Sequence, residues 1–103
     1  MSNPKAVLRH KRKQRLDQAM SFLPMVKGLL QFSGIIVEIN GNGNQWEFSW
    51  NSVCIMRYFP ADAYTLSRQN GATGPMNVKI SCRGACKAQK QVLAILRKCE
   101  TQS

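Results

Sequence analysis

Residues 45 to 50 alternate without a break: Gln45, Glu47 and Ser49 are polar, while Trp46, Phe48 and Trp50 are large aromatics. A period of two is the mark of a strand with one buried face. The five residues before it, Asn40-Gly41-Asn42-Gly43-Asn44, are the residue types that accept the positive backbone angles of a hairpin turn. Ile35 to Ile39, upstream again, is short and β-branched, which favours a second strand. The middle of the chain is therefore expected to form antiparallel sheet.

Val53 to Phe59 reads as a further strand, reached through a turn or bulge at Asn51-Ser52. Met76 to Cys82 reads as the last one, with Met76, Val78 and Ile80 on one face. Pro60 to Pro75 reads as an irregular connection, with one helical turn within Ala61 to Ser67. This gives three to four strands.

Helices are expected on either side of the sheet. Pro4, preceded by Ser2 or Asn3 as the cap, is a suitable start for the first. Leu16, Ala19, Met20 and Leu23 recur at helical spacing, and Val7 and Leu8 extend the same face. Pro24 predicts a kink or a break, because it removes one helical hydrogen bond and crowds the preceding turn. Met25 to Phe32 follows as a second piece of helix, too dense in apolar residues for an exposed segment. The final helix runs from Ala85 to about Cys99, with Ala85, Ala88, Val92, Ile95, Leu96 and Cys99 as its buried stripe.

The predicted architecture is α+β: an N-terminal helix kinked or broken at Pro24, an antiparallel sheet, and a C-terminal helix packed on it. With 103 residues, 44% of them apolar, the chain supports one core and no second. Residues 1–103 are read as a single small basic domain with loose ends at 1–4 and 100–103.

Charge narrows the function. Fifteen Lys and Arg against five Asp and Glu give a formal net charge of +10. A field of that sign gathers phosphates, anionic headgroups and acidic protein faces. Lys5, Arg9, Lys11, Arg12, Lys13 and Arg15 put six of these cations within eleven residues. Like charges at neighbouring helical positions repel, and a helix N-terminus already disfavours cations. A polyanion laid against the segment relieves both costs, and cations that contact phosphate release its counterions. A second set, Arg83, Lys87 and Lys90, steps by four and three along one face of the last helix. Lys79, Arg97 and Lys98 lie nearby in the sequence.

The expected role is therefore a small nucleic-acid-binding accessory or regulatory protein. Lys5, Arg9, Lys11, Arg12, Lys13, Arg15, Arg83, Lys87 and Lys90 are its expected phosphate contacts, with DNA and RNA equally eligible. Any reading of base edges falls to Arg12, Gln14 or Arg15. The rival is a regulator or inhibitor docking on an acidic face of a partner enzyme, since complementary charge speeds encounter.

The remaining chemistry is sparse. Trp46, Phe48, Trp50, Tyr58 and Phe59 read as core more readily than as a base-stacking platform. Cys82 and Cys86 are spaced like half of a zinc site, but neither Cys54, Cys99 nor His10 supplies a second tight pair, so no metal is expected. His10 is the only histidine and the acids are scattered. No enzyme, and no cofactor, is expected; a toxin-like ribonuclease is the catalytic alternative. The chain shows no secretory signal or apolar spanning run. A cytoplasmic protein with free thiols is the expectation.

Overall fold

The structure is a computed structural model that describes residues 4–82 and 85–101. Helix α1 (Pro4–Leu30) leads through a 3-10 turn (Gln31–Ser33) into five strands, β1 (Ile35–Asn40), β2 (Gln45–Trp50), β3 (Val53–Phe59), β4 (Tyr64–Arg68) and β5 (Met76–Ser81). Helix α2 (Ala85–Thr101) closes the chain. The class is α+β as expected. Helix α1 begins at Pro4 and α2 ends at Thr101. The cap expected at Ser2 or Asn3 lies outside the described residues.

The strands form one antiparallel sheet in the order β1-β2-β3-β4-β5. There are five of them, where three to four were expected. The addition is β4, which occupies part of the supposed irregular connection. Its inward residues are Thr65 and Ser67, both buried. Two small hydroxyl residues hide the alternation that a strand usually announces in its apolar residues. Burial of Thr65 is made tolerable by its hydroxyl, which donates to Gln91 Oε1 on α2. The expected helical turn shrinks to a 3-10 turn at Pro60–Asp62, ended by Ala63 in the left-handed region at φ 55.

Asn51 and Ser52, with φ of 51 and 65, make the two-residue turn between β2 and β3. Positive angles at both central positions suit the right-handed twist of the paired strands. The register then shifts between Phe48 and Ser49. That bulge turns both Ile55 and Met56 toward the core, and each is fully buried.

One sheet face carries Ile35, Val37, Trp46, Phe48, Met56 and Tyr58 into a single cluster with both helices. Ala19, Val26 and Leu30 enter it from α1, and Ala88, Val92, Ile95 and Leu96 from α2. The α2 stripe thus matches its expected positions wherever its side chains are described. Trp46 stands edge-on to Tyr58, with ring centroids 5.4 Å apart. Among the described residues, no helix covers the other face of the sheet. Phe59, expected in the core, is a correction: it lies on this open face, stacked on Tyr64 at 4.7 Å. The alternation of β3 sends Tyr58 inward and Phe59 outward.

Of the kink or break expected at Pro24, the break does not occur: helix α1 runs through the proline. Pro24 has no N–H to give the Met20 carbonyl, and it lies on the exposed side of the helix. Burial of Leu23, Val26 and Leu30 on the inner side keeps the axis going. Met25, Leu29 and Phe32, also expected to be buried, are exposed instead, Phe32 by 91%. Val7 and Leu8 likewise face solvent.

Candidate functional site

At about 1.5 Å per residue, the 27 residues of α1 make a rod of about 40 Å. Its N-terminal half lies beside the turn that joins β3 to β4. Arg12 forms an ion pair with Asp62 in that turn. One turn on, Arg15 Nη1 donates to the Ala61 carbonyl at 3.1 Å. Asn44, from the β1–β2 turn, completes the clamp. Its Nδ2 donates to Asp62 Oδ2 at 3.2 Å, and its Oδ1 accepts from the Ala61 N–H at 2.9 Å. Partial burial works against ionisation of Asp62. The hydrogen bonds from Arg12 and Asn44, with the charges of Arg12 and Arg15, outweigh it and hold the carboxyl below its ordinary value.

The inner stripe of α1 explains this arrangement. At 100° per residue, Arg12 and Arg15 sit nearly in line with Ala19, Val26 and Leu30. They therefore point at the body of the protein, where the stripe has changed from apolar to cationic. Arg12 is neutralised by Asp62. Arg15 gives a hydrogen bond to a neutral carbonyl and keeps its charge. Lys11 and Lys13 project on opposite flanks of the helix, and Arg9, Lys11 and Lys13 are exposed. Of the six cations of the cluster, none falls on the side of His10: they cover the inner side of the rod and both flanks.

Beside the clamp lies an open cleft of about 320 Å³. Arg15 of α1 and Lys87 of α2 both line it, together with Asp62, Ala63, Ser81 and Cys82. This is where the N-terminal and C-terminal cations meet. Lys90, one turn along α2, is exposed. Arg83 lies outside the described residues. A smaller groove of about 180 Å³ on the other side of the clamp is lined by Arg12, Lys13 and Asn42, among others. The residue that sequence reasoning passed over is Asp62, one of five scattered acids. Its proximity to Arg12, fifty positions away, has no local signature.

Loss of the clamp is expected to be measurable but small. Because the Asp62 carboxyl is held low, its stabilising effect is fully present above its ordinary pKa of 3.8 and is lost as pH falls through its folded value. The pair is partly exposed, with side-chain exposures of 47% and 33%, so its worth is about 0.5–1 kcal/mol. Asp62→Asn should lower the stability by that amount at pH 7, read from urea denaturation, and the gap from the parent protein should close in strong acid.

Lys79 Nζ sits 4.4 Å from the Tyr64 ring centre on the open sheet face, so a cation adjoins the Phe59–Tyr64 stack there. Trp46, Phe48 and Tyr58 are buried on the opposite face and offer no stacking surface.

Among the described residues, no three His, Cys, Asp or Glu side chains come together as a metal site. Burial pushes the Cys82 thiol up to about 11 against the opposing charge of Lys87. It also raises Cys54, with Glu47 adding to the effect and Arg57 and Arg68 opposing it. Cys86 is exposed. An alkylating reagent on the native protein should therefore label Cys86 ahead of Cys54 and Cys82, read site by site from peptide masses. His10 is exposed on the solvent side of α1. No helix of the described residues is long and apolar enough to cross a membrane.

No family model, curated protein or solved structure matches the chain.

Proposed function

We propose that the protein binds nucleic acid through its phosphates, along a cationic band running from the N-terminal half of α1 across the cleft to the start of α2. The observation that carries this reading is the cleft itself, where Arg15 and Lys87 from opposite ends of the chain line one opening. Lys11, Lys13 and Lys90 extend positive charge to either side of it. Such a band tracks a backbone whose charges repeat every few ångströms. The clamp at Asp62 gives Arg12 a positioning role: it holds the rod where its neighbours meet the ligand. The residues that line the cleft include no aromatic ring, which favours backbone contacts over contacts to bases. The role proposed for this binding is a regulatory or accessory one in the cytoplasm.

The test is a salt titration of binding to duplex and single-stranded DNA and RNA. Affinity should fall linearly on logarithmic axes, with a slope of about −0.9 for each duplex phosphate neutralised. No association with any of them at low salt overturns the reading. A stoichiometric protein partner that survives nuclease treatment transfers the band to an acidic protein face.

A further inference from the structure

A sheet with two free edges exposes two rows of unpaired backbone donors and acceptors, and proteins usually protect such rows. Here the two edges are treated differently. Strand β5 is entered from Pro75, has a register shift against β4 between Ser67 and Arg68, and carries Lys79. A proline, an irregularity and a lysine all discourage a further strand from adding there. Strand β1, six residues reading IIVEIN, has none of them. Its pairing with β2 is regular from Ile35↔Trp50 to Asn40↔Gln45. Four of its six residues are β-branched and apolar, as an interior strand would be.

The surroundings of β1 are apolar as well. Phe32 is 91% exposed, Ile36 63% and Leu29 51%. Beside the strand runs an open groove of about 510 Å³, lined by Lys27, Gln31 and residues 34–37. Large exposed side chains gathered next to an unpaired strand mark a contact surface more than a solvated one.

Charge decides what can occupy it. Two molecules of net charge +10 repel almost everywhere they approach. The β1 edge is the exception. Glu38 lies on β1, which contains no cation; its register partner Glu47 is paired with Arg57, and Lys27 is the one cation among the residues that line the groove. The positive residues of α1 and of the start of α2 gather instead around the β3–β4 turn.

The geometry points to a homodimer in which β1 pairs with β1 of a second copy, antiparallel across a two-fold axis, to give one sheet continuous through both molecules. A two-fold contact uses the same patch on both partners, so a strand edge pairs with itself without any change of sequence. An axis at Glu38 would set two carboxylates opposite each other. An axis at Val37 pairs residues 35–39 of the two strands, sets each exposed Ile36 opposite Glu38 of the second copy, keeps the two carboxylates apart, and leaves Phe32, three residues before the strand, at either end of the seam. The dimer doubles the charge available to the cationic band but does not depend on it.

The test is sedimentation equilibrium of the nuclease-treated protein, without nucleic acid, from low micromolar to sub-millimolar concentration. A dimer mass is expected. Ile36→Lys should weaken it by about tenfold or more, as loss of a central interface residue does, and Phe32→Lys, at the end of the seam, should weaken it by a smaller but measurable factor. Asn77→Lys on β5 should leave it unchanged. Phe32 touches no core, so Phe32→Lys still decides the matter if Ile36→Lys folds poorly. A monomer throughout, or a dimer indifferent to both β1-side variants, overturns the proposal.

Discussion

Trp46→Ala is expected to bring the protein close to unfolding at room temperature. The indole is fully buried, and its Nε1–H donates to the Gly43 carbonyl at 3.0 Å. It also meets the Tyr58 ring edge-to-face at an interplanar angle of 86°. Truncation of a buried aromatic of this size costs about 3–5 kcal/mol. A domain of this length has about 5–10 kcal/mol of stability in all. The substitution therefore removes a third of the stability or more. Removal of the indole N–H adds a local effect. Gly43, held at φ +92, is deprived of the donor that fixes its carbonyl, and the β1–β2 turn loosens beneath α1. The urea midpoint should fall by roughly half with little change in slope, followed by circular dichroism. A destabilisation below about 1 kcal/mol would mean that Trp46 is not at the centre of the core.

The second large effect is on binding. Lys11, Lys13, Lys87 and Lys90 are all exposed, so replacing them together with glutamine should leave the melting temperature close to the parent's. Each duplex phosphate that the variant no longer neutralises flattens the logarithmic salt slope by about 0.9. Affinity at moderate salt should fall by about tenfold or more for any nucleic acid the parent binds. Arg12→Gln should behave in the opposite way, because Arg12 is paired with Asp62. It lowers stability and leaves the slope near the parent value. If the four-lysine variant retains the full slope, the cleft and its flanks are not the interface.

The contrast between Lys13 and Arg12 shows what the sequence carried and what it did not. Both belong to one basic run, and charge density marked the run as a whole. Which cations turn inward depends on the phase of α1 relative to its buried stripe, and that phase is set from Ala19 onward. The sequence also marked β2 clearly, since alternating aromatics leave one reading. It failed at β4, because Thr65 and Ser67 are buried through size and hydrogen bonding instead of hydrophobicity. At Pro24 it left a kink and a break both open, and burial of Val26 and Leu30 beyond the proline goes with a helix that is unbroken. Phe59 was misassigned because adjacent residues of a strand point to opposite faces except at a bulge, and the bulge of β3 falls at Ile55 and Met56, not at Tyr58 and Phe59. The Arg15–Lys87 cleft had no trace at all in local pattern, since its parts come from opposite ends of the chain.

Every strand of the sheet pairs only with its neighbours in the chain. Each new ladder therefore closes a short loop, and the entropy given up in each closure stays small. The sheet can grow by zippering one hairpin onto the last. Docking of the two helices is the exception: the pairing of Arg12 with Asp62 spans fifty positions, and α2 packs into one cluster with α1, β1 and β2. The sheet itself is built from near-neighbour closures, which favour fast folding, and attachment of the two helices supplies the distant steps.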